Sequence, residues 1–568
     1  MFVAQKIQLE INKSCNTDAF AIWQINHSEG QFIEVRNSEM DGFLFGNVIY
    51  RGLIGKSAAR KLLEDYCSKS LSKTEVLGSF VMILRYSSKL VLIQDPLKMH
   101  SLYYCRKSGR ISDSLQKLID TSAFSYSLNR RALNERVVLG FSLSNETILN
   151  GIIRLDSNSD ACEDSIALYS WSDSARDVLE THGNRNLSIN RNLELLNSQF
   201  STLSKVFSGD QVDLGLSSGF DCRLLLACAD EWLPRISLHS HNTIGVHDLE
   251  NSLAKEVANE LGYEIHSIPT SDLVKESDDV IGETLRENLS FFDGVSARHL
   301  GSFSKTYTAS YRELAINGSA CSLNGLGGEI FRDSYFIGSR RLSWDAWSRR
   351  LLELPLGREY FGSGKDYIEV SLNSKEIIER RLEMSFDNPD LLKSHLYYGL
   401  VKMPAANGPV SKAYNKVSHT YFPFINSVII EESLKAVPYI KGSVSYQAEM
   451  INRMSPKLAK VSSHYGHSFD RIPLKIKLMH RFKSNLPVDL RERLVKEHYR
   501  KSISSNQNKD FLDLVKRSSY LSNIKEELMT IFPRMNFDLV MSNGTQRRVA
   551  FFLGSFLVEN KTKIDGIR

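Results

Sequence analysis

The chain has 568 residues, of which 42 % are hydrophobic and 24 % are charged, and its formal net charge is +5. These proportions are typical of a globular protein and exclude collagen-like, low-complexity and largely disordered classes. A charge of +5 is small for this length, so it predicts neither a nucleic-acid partner nor a membrane partner.

Cysteine usage and hydropathy predict a cytoplasmic location. The seven cysteines are odd in number and no two form a Cys-x-x-Cys pair, which favours isolated reduced thiols over a disulfide framework or a zinc ribbon. The first ten residues lack a basic region followed by a long apolar core, so no signal peptide is expected. The longest apolar stretch, 549–558, is about half of the ~20 residues that a membrane span needs and is interpreted as buried structure.

The first 120 residues are predicted to form an α+β layered domain. A helix is predicted over 57–70, because Ala58, Leu62, Leu63 and Tyr66 recur on one side. Short runs rich in β-branched and aromatic residues predict strands at 20–25, 32–35, 45–50, 79–84 and 90–93. A polar, helical connection is predicted from about 128 to 207.

The pattern then changes to strands alternating with helices, and from about 335 to 568 it is mostly helical. This βαβαβ order predicts a parallel sheet with right-handed crossovers, and hence an α/β fold class for this part. The predicted strands are 211–216, 235–239 and 263–268, and the predicted helices are 223–232 and 249–261.

Residues 216–223, Leu-Ser-Ser-Gly-Phe-Asp-Cys-Arg, lie where the first parallel strand is predicted to end and a helix to begin. Small residues there let backbone N–H groups approach a phosphate, and the helix N-terminus adds partial positive charge. Asp221 is placed to hold a magnesium ion that bridges phosphate oxygens. The segment lacks a Walker ending and a dinucleotide fingerprint, and a tightly packed turn is the alternative interpretation.

This segment resembles the Ser-Gly-Gly-x-Asp-Ser pyrophosphate loop of N-type ATP pyrophosphatases, with Ser218 and Cys222 at the two altered positions. Within that superfamily, residues 248–254 and 323–331, the latter followed by Tyr335, resemble the asparagine synthetase family. The resemblance implies a cleft between two glycine-containing turns that binds ATP and Mg²⁺. The ATP-binding residues that it implies are Leu216, Ser217, Ser218, Gly219, Phe220, Asp221, Cys222, Asn324 and Gly325.

Residues 46–47, 78–80 and 94–96 resemble a class II glutamine amidotransferase domain. That family uses an N-terminal cysteine exposed by removal of Met1, whereas residue 2 here is Phe2 and Cys15 is not terminal. The resemblance therefore implies an inactive, Ntn-hydrolase-like layered domain over 1–190. It implies an adenine-nucleotide α-hydrolase-like parallel-sheet domain with a helical C-terminal part over 191–568.

The second glycine motif departs from the family. An ungapped match places the family's first Glu at Leu326, its Asp at Glu329 and its second Glu at Ile330. Glu329 keeps a carboxylate and is predicted as a catalytic group and second magnesium ligand. His419 and Tyr421 stand where the family has Glu and Arg, which argues against an intact asparagine pocket.

A cation near the α-phosphate would stabilise the charge that develops as an acyl-adenylate forms. Lys460 is the preferred candidate, with Lys457 and Lys441 as rivals and a solvated surface charge as the alternative interpretation. Candidate bases for an attacking amine are His419, His464 and His467, each of which is also interpretable as a surface or packing residue.

The predicted function is an ATP-dependent carbon–nitrogen ligase that adenylates a carboxylate, releases pyrophosphate and joins the acyl group to an amine without hydrolysing glutamine. The resemblance extends to β-lactam synthetases and lasso-peptide macrolactam cyclases, which implies a carboxylate-bearing small-molecule or peptide substrate. An asparagine synthetase using free ammonia and a non-catalytic scaffold with a degenerate ATP site are the alternatives. The basic tail, 475–496, is interpreted as a solvated helical face or as a docking surface for a biosynthetic partner, an acidic peptide or carrier.

Overall fold

The structure is a computed structural model with two β-rich parts and a long helical part. It describes residues 2–8, 21–27, 32–37, 40–72, 74–86, 89–155, 164–168, 171, 184–243, 249–270, 276–295, 308–361, 364–441, 443–503 and 506–565. The N-terminal part contains helices α1 (Gly55–Cys67), α2 (Leu115–Asp120) and α3 (Arg130–Leu139). Its strands are β1 (Phe2–Gln8), β2 (Ala21–His27), β3 (Phe32–Arg36), β4 (Asp41–Tyr50), β5 (Leu53–Ile54), β6 (Val76–Tyr86), β7 (Lys89–Gln94), β8 (Tyr103–Cys105), β9 (Arg110–Ser112), β10 (Tyr126–Ser127), β11 (Ile152–Arg154) and β12 (Asp164–Ala167).

Two sheets stack in this part. One has the antiparallel order β11-β8-β9-β1-β2. The other has the order β12-β7-β6-β4-β3, in which only the β12–β7 pair is parallel, and β5 pairs with β4. Phe43 and Phe45 face the space between the sheets, whereas Leu44 faces α1, because successive side chains of a strand point to opposite faces. The predicted α+β layers are therefore confirmed.

The second β-rich part is a five-stranded parallel sheet. Its strand order is β15-β14-β13-β16-β17, so the order reverses at β13, which has β14 on one side and β16 on the other. Ligands of open α/β sheets bind outside the carboxyl ends of the strands at such a reversal. The strands are β13 (Val212–Gly215), β14 (Ile236–Thr243), β15 (Ile265–Thr270), β16 (Cys321–Leu323) and β17 (His419–Tyr421). The helices before and between them are α4 (Arg185–Val206), α5 (Phe220–Trp232), α6 (Leu249–Glu260), α7 (Asp278–Phe291) and α8 (Ala309–Ile316).

The rest of the chain is helical, as predicted, apart from β18 (Ile564–Asp565), which pairs with β10. Among the described residues, none of the helices combines the length and apolar character that crossing a membrane requires. The helices are α9 (Trp344–Trp347), α10 (Lys365–Leu382), α11 (Leu391–Leu396), α12 (Met403–Tyr414), α13 (Ser427–Lys435), α14 (Val437–Ile440), α15 (Ser445–Met454), α16 (Pro456–Lys460), α17 (Leu474–Asn485), α18 (Val488–Ile503), α19 (Asn506–Arg517), α20 (Ser519–Ile531), α21 (Phe537–Ser542) and α22 (Gly544–Glu559).

The predictions differ from the structure in three places. In the first 120 residues, β1, β5, β8 and β9 had no strand prediction. The connection predicted to be helical from 128 to 207 contains β11 and β12 as well as α3 and α4. The last two strands of the parallel sheet, β16 and β17, had no strand prediction, because three residues are too few to show a period of two. The apolar stretch 549–558 lies inside the buried helix α22, in agreement with its interpretation as buried structure.

Helix α12 joins the N-terminal sandwich to the parallel sheet. At its centre, Gly408 lies against the loop after β7, and a Cβ on Gly408 would fall 2.5 Å from the carbonyl oxygen of Met99. Just beyond its end, Asn415 accepts a hydrogen bond of 2.9 Å from Asn47 of β4. The sandwich therefore supports a helix that reaches the parallel sheet.

We expect Gly408→Ala to destabilise the protein by about 1–3 kcal/mol, because the added methyl group meets rigid backbone. Gly544→Ala is the matched control, since a Cβ there would have only the Arg548 guanidinium nearby, at 3.9 Å. Urea unfolding of both variants checks the contact. Equal midpoints for the two variants would contradict it.

Candidate functional site

The predicted phosphate loop connects β13 to α5. The strand ends at Gly215, and the helix begins at Phe220 after the N-cap residue Gly219, which has no side chain to cap the helix. The Gly219 N–H donates to Ser217 Oγ at 3.3 Å. The first turn of α5 thus opens toward the carboxyl edge of the sheet, and it contains one carboxylate, that of Asp221.

The turn that follows β16 lies directly against this loop. A Cβ on Gly325 would fall 3.3 Å from the backbone nitrogen of Cys222, and one on Gly328 would fall 2.1 Å from Asp221 Oδ1. Only a residue without a side chain permits the second approach. The structure therefore brings together the two glycine-containing turns that the sequence motifs single out.

A cavity of about 400 Å³ opens between the two turns. From the first turn it is lined by Leu216, Ser217, Gly219, Phe220, Asp221 and Cys222, and from the second by Asn324, Gly325 and Glu329. Two predicted site residues are not in its lining. Ser218 is fully buried beneath the loop, and Lys460 is exposed at the end of α16.

Asp221 is held by protein donors on both oxygens. The Arg332 guanidinium forms a bidentate pair with it, in which Nη2 donates to Oδ2 at 2.9 Å, and Gln447 Nε2 donates to Oδ1 at 2.8 Å. Burial lowers the pKa of Arg332, but Asp221 and Glu329 outweigh this and raise it overall, so the guanidinium is charged. We call the Asp221–Arg332 pair, with Gln447, the carboxylate clamp.

Glu329 is also engaged within the protein. Tyr398 donates a hydrogen bond to Glu329 Oε2, and Oε1 lies 3.6 Å from Arg332 Nη2. Asp221 and Glu329 therefore converge on one cleft but share a guanidinium between them. Their oxygens are the ligands that a protein-held magnesium ion would need, and these oxygens already accept from Arg332, Gln447 and Tyr398.

The arrangement consequently does not fit the predicted metal site, and among the described residues no cluster of three or more His, Cys, Asp or Glu is arranged to hold a metal. Arg332 occupies the position between the two carboxylates. Sequence reasoning missed it, although its spacing of three residues from Glu329 on a tight turn offered a signal.

The remaining predicted groups separate into two sets. His464 lines the cleft, and its Nδ1 lies 2.8 Å from Ser218 Oγ. His419 and His467 do not line it, and burial lowers the pKa of His419.

Burial raises the pKa of the Cys222 thiol, so this side chain stays neutral beside the loop. Cys15 lies outside the described residues.

A buried polar network that sequence reasoning missed forms the floor of the cleft. Asp213, in the middle of β13, is fully buried and lies 2.6 Å from His239 Nδ1 and 2.6 Å from Ser322 Oγ. Arg312 also donates to Ser322 and lines the cleft. An aspartate inside a strand between apolar residues was the available signal, because buried carboxylates need partners.

A larger cavity of about 850 Å³ lies between the N-terminal sandwich and α10. It contains none of the predicted site residues. We therefore take the smaller cleft at the strand-order reversal as the candidate site. The smaller cleft is preferred despite its volume, because it combines the two glycine turns, a helix N-terminus and buried charges.

The chain matches no known protein-family model and no curated protein. The resemblance to asparagine synthetases therefore rests on the sequence motifs alone.

We expect Arg332→Met to destabilise the protein by about 1–3 kcal/mol, because it leaves the half-buried carboxylate of Asp221 without its counterion. Arg191→Met is the control, since its pair with Glu194 is mostly exposed and should contribute less than about 1 kcal/mol. Denaturant unfolding measures both. The double variant Asp221→Asn/Arg332→Met should be more stable than Arg332→Met alone, because it has no unpaired carboxylate. A loss of unfolding free energy in the double variant equal to the sum of the two single losses would contradict the carboxylate clamp.

Proposed function

We propose that the chain is an ATP-dependent ligase that adenylates a carboxylate and transfers the acyl group to an amine. The observation that carries this proposal is the meeting of two glycine-containing turns, one opening a helix, at the strand-order reversal of a parallel sheet. A cavity of about 400 Å³ there falls in the size range of small-molecule sites. We further propose that the sheet belongs to the adenine-nucleotide α-hydrolase class and the N-terminal sandwich to the Ntn-hydrolase class.

In the proposed first step, a substrate carboxylate oxygen attacks the α-phosphorus of ATP. The bond from this phosphorus to the bridging oxygen breaks, and pyrophosphate leaves with the electron pair. Backbone N–H groups at Gly219 and the start of α5 would bind the departing phosphates. Arg312 lines the cleft and lies outside the carboxylate clamp, so we propose it, in place of Lys460, as the cation that stabilises the developing charge.

In the proposed second step, an amine nitrogen attacks the acyl carbon, AMP leaves, and the amine loses a proton to a base. His464 and His239 both line the cleft and are the candidate bases. His239 has Nδ1 bound to Asp213, which orients the ring and leaves Nε2 beside Gly215. We propose that the amine comes from the substrate or from solution.

A second candidate is a nucleotide-binding protein without catalysis. The carboxylate clamp favours it, because Asp221 and Glu329 are occupied by protein partners. Pyrophosphate release separates the two functions, since a binding protein would retain ATP without cleaving it. An ammonia-dependent asparagine synthetase has weaker support, because Leu326 replaces a substrate-binding Glu of that family and lines the cleft.

The test has two readouts on the full-length protein: ATP binding by calorimetry, and release of pyrophosphate with a panel of carboxylic acids and peptides. Binding plus acid-dependent release would support the ligase. Binding without release for every acid would favour the non-catalytic alternative. The absence of ATP binding would overturn both.

We expect Gly325→Val to lower ATP affinity at least tenfold, because a side chain there would crowd the backbone of Cys222 across the cleft. Lys460→Ala should leave both affinity and release unchanged, since Lys460 is exposed and outside the lining. Calorimetry and a pyrophosphate assay check the pair. A loss confined to Lys460→Ala would show that the nucleotide binds elsewhere.

A further inference from the structure

Arg223 is a fully buried arginine in the first turns of α5, directly beneath the phosphate loop. Its guanidinium donates to four backbone carbonyls. They are those of Ser218 at 3.0 Å, Leu458 at 3.0 Å, Val461 at 2.6 Å and Ser462 at 2.9 Å. One of these carbonyls belongs to the phosphate loop itself, and the other three belong to the segment that carries His464.

No carboxylate within the described part of the chain forms an ion pair with Arg223, in contrast to Arg332. The face of Phe469 lies 4.4 Å from the guanidinium carbon, and Nε has no hydrogen-bond partner among the described residues. Burial lowers the pKa of Arg223 to about 10, so the group remains protonated at neutral pH. The protein thus keeps one uncompensated positive charge under this loop.

The Ser218 carbonyl and the Gly219 N–H belong to one planar trans peptide group and point in opposite directions. A cation bonded to the carbonyl polarises the peptide and makes its N–H a stronger donor on the other side. That N–H now has only a long bond of 3.3 Å to Ser217 Oγ. A phosphate oxygen in the cleft would give it a charged acceptor.

We infer that Arg223 is the fixed positive charge of the phosphate site and acts as a positioning residue through the peptide group that joins Ser218 to Gly219. This inference rests on the proposed nucleotide function. Its ligand class is a polyphosphate or pyrophosphate group. Arg332 is engaged by Asp221 and Glu329, and Arg312 lies 4.0 Å from Asp213, whereas Arg223 has no carboxylate partner within the described part of the chain.

The experiment measures the affinities of pyrophosphate, ATP and adenosine for wild-type protein and two variants. Arg223→Met removes the charge at similar length and should weaken pyrophosphate and ATP binding at least tenfold while leaving adenosine binding within about threefold. Arg223→Lys keeps the charge but cannot reach all four carbonyls, and it should keep pyrophosphate affinity within about threefold.

A purely structural role predicts a different pattern. If Arg223 only ties the loop to 458–462, Arg223→Lys should lose pyrophosphate binding as Arg223→Met does, and adenosine binding should fall too; that result would overturn the inference. Arg235→Met is the matched control, because Arg235 also donates to a carbonyl, that of Gly209, at the opposite end of the sheet. It should change none of the three affinities.

Folding of each variant is checked by thermal unfolding, and Arg223→Gln replaces Arg223→Met if the latter does not fold. Failure of wild-type protein to bind pyrophosphate and ATP would overturn the proposed function itself. Wild-type binding that Arg223→Met or Arg223→Gln leaves unchanged would overturn only the role of Arg223.

Discussion

The candidate site depends on one largely buried ion pair, Asp221 with Arg332. The two residues are 111 positions apart in the sequence and belong to different crossovers of the parallel sheet. Burying a charge pair is unfavourable unless both partners are fully hydrogen bonded, and here Gln447 completes the set. Loss of either partner would leave the other charge without its counterion, so the pair holds the two glycine turns at a fixed separation. Gly328 leaves the space in which the pair forms.

This pair also determines where the charge for phosphate binding comes from. Arg332 pairs with Asp221 and lies 3.6 Å from Glu329, and the hydroxyl of Tyr398 donates to Glu329, so both carboxylates already have protein donors. The attractive groups that remain are backbone N–H donors of the loop, Arg312 and the buried Arg223. A site built in this way is preorganised, because its donors are held by backbone and by buried partners before the ligand arrives.

Sequence patterns predicted β2, β3, β4, β6 and β7 of the sandwich, β13 to β15 and the glycine turns, because each has a periodic or compositional signal. The sequence motifs predicted that Asp221 and Glu329 lie in one cleft, and they predicted magnesium as the ion that both carboxylates bind. A guanidinium and a metal ion satisfy the same carboxylates, and only the fold shows that Arg332 lies between them. The same limit applies to Lys460: a basic segment beside the motif was visible, but its exposure on α16 follows from the packing of Leu458 and Ala459 on the opposite side of that short helix.

The N-terminal sandwich has a physical role that requires no chemistry of its own. The helical segment that supplies Tyr398, the partner of Glu329, continues into α12 and ends at Tyr414, which lines the cleft. The middle of α12 lies against the sandwich at Gly408 and Met99, and its last turn is bound to buried Asp293 through Lys412 at 2.9 Å. Removing the sandwich would expose one side of the helix that orients both tyrosines. The sandwich therefore contributes to the cleft through packing alone, because the helix that carries Tyr398 and Tyr414 toward the cleft is built against it.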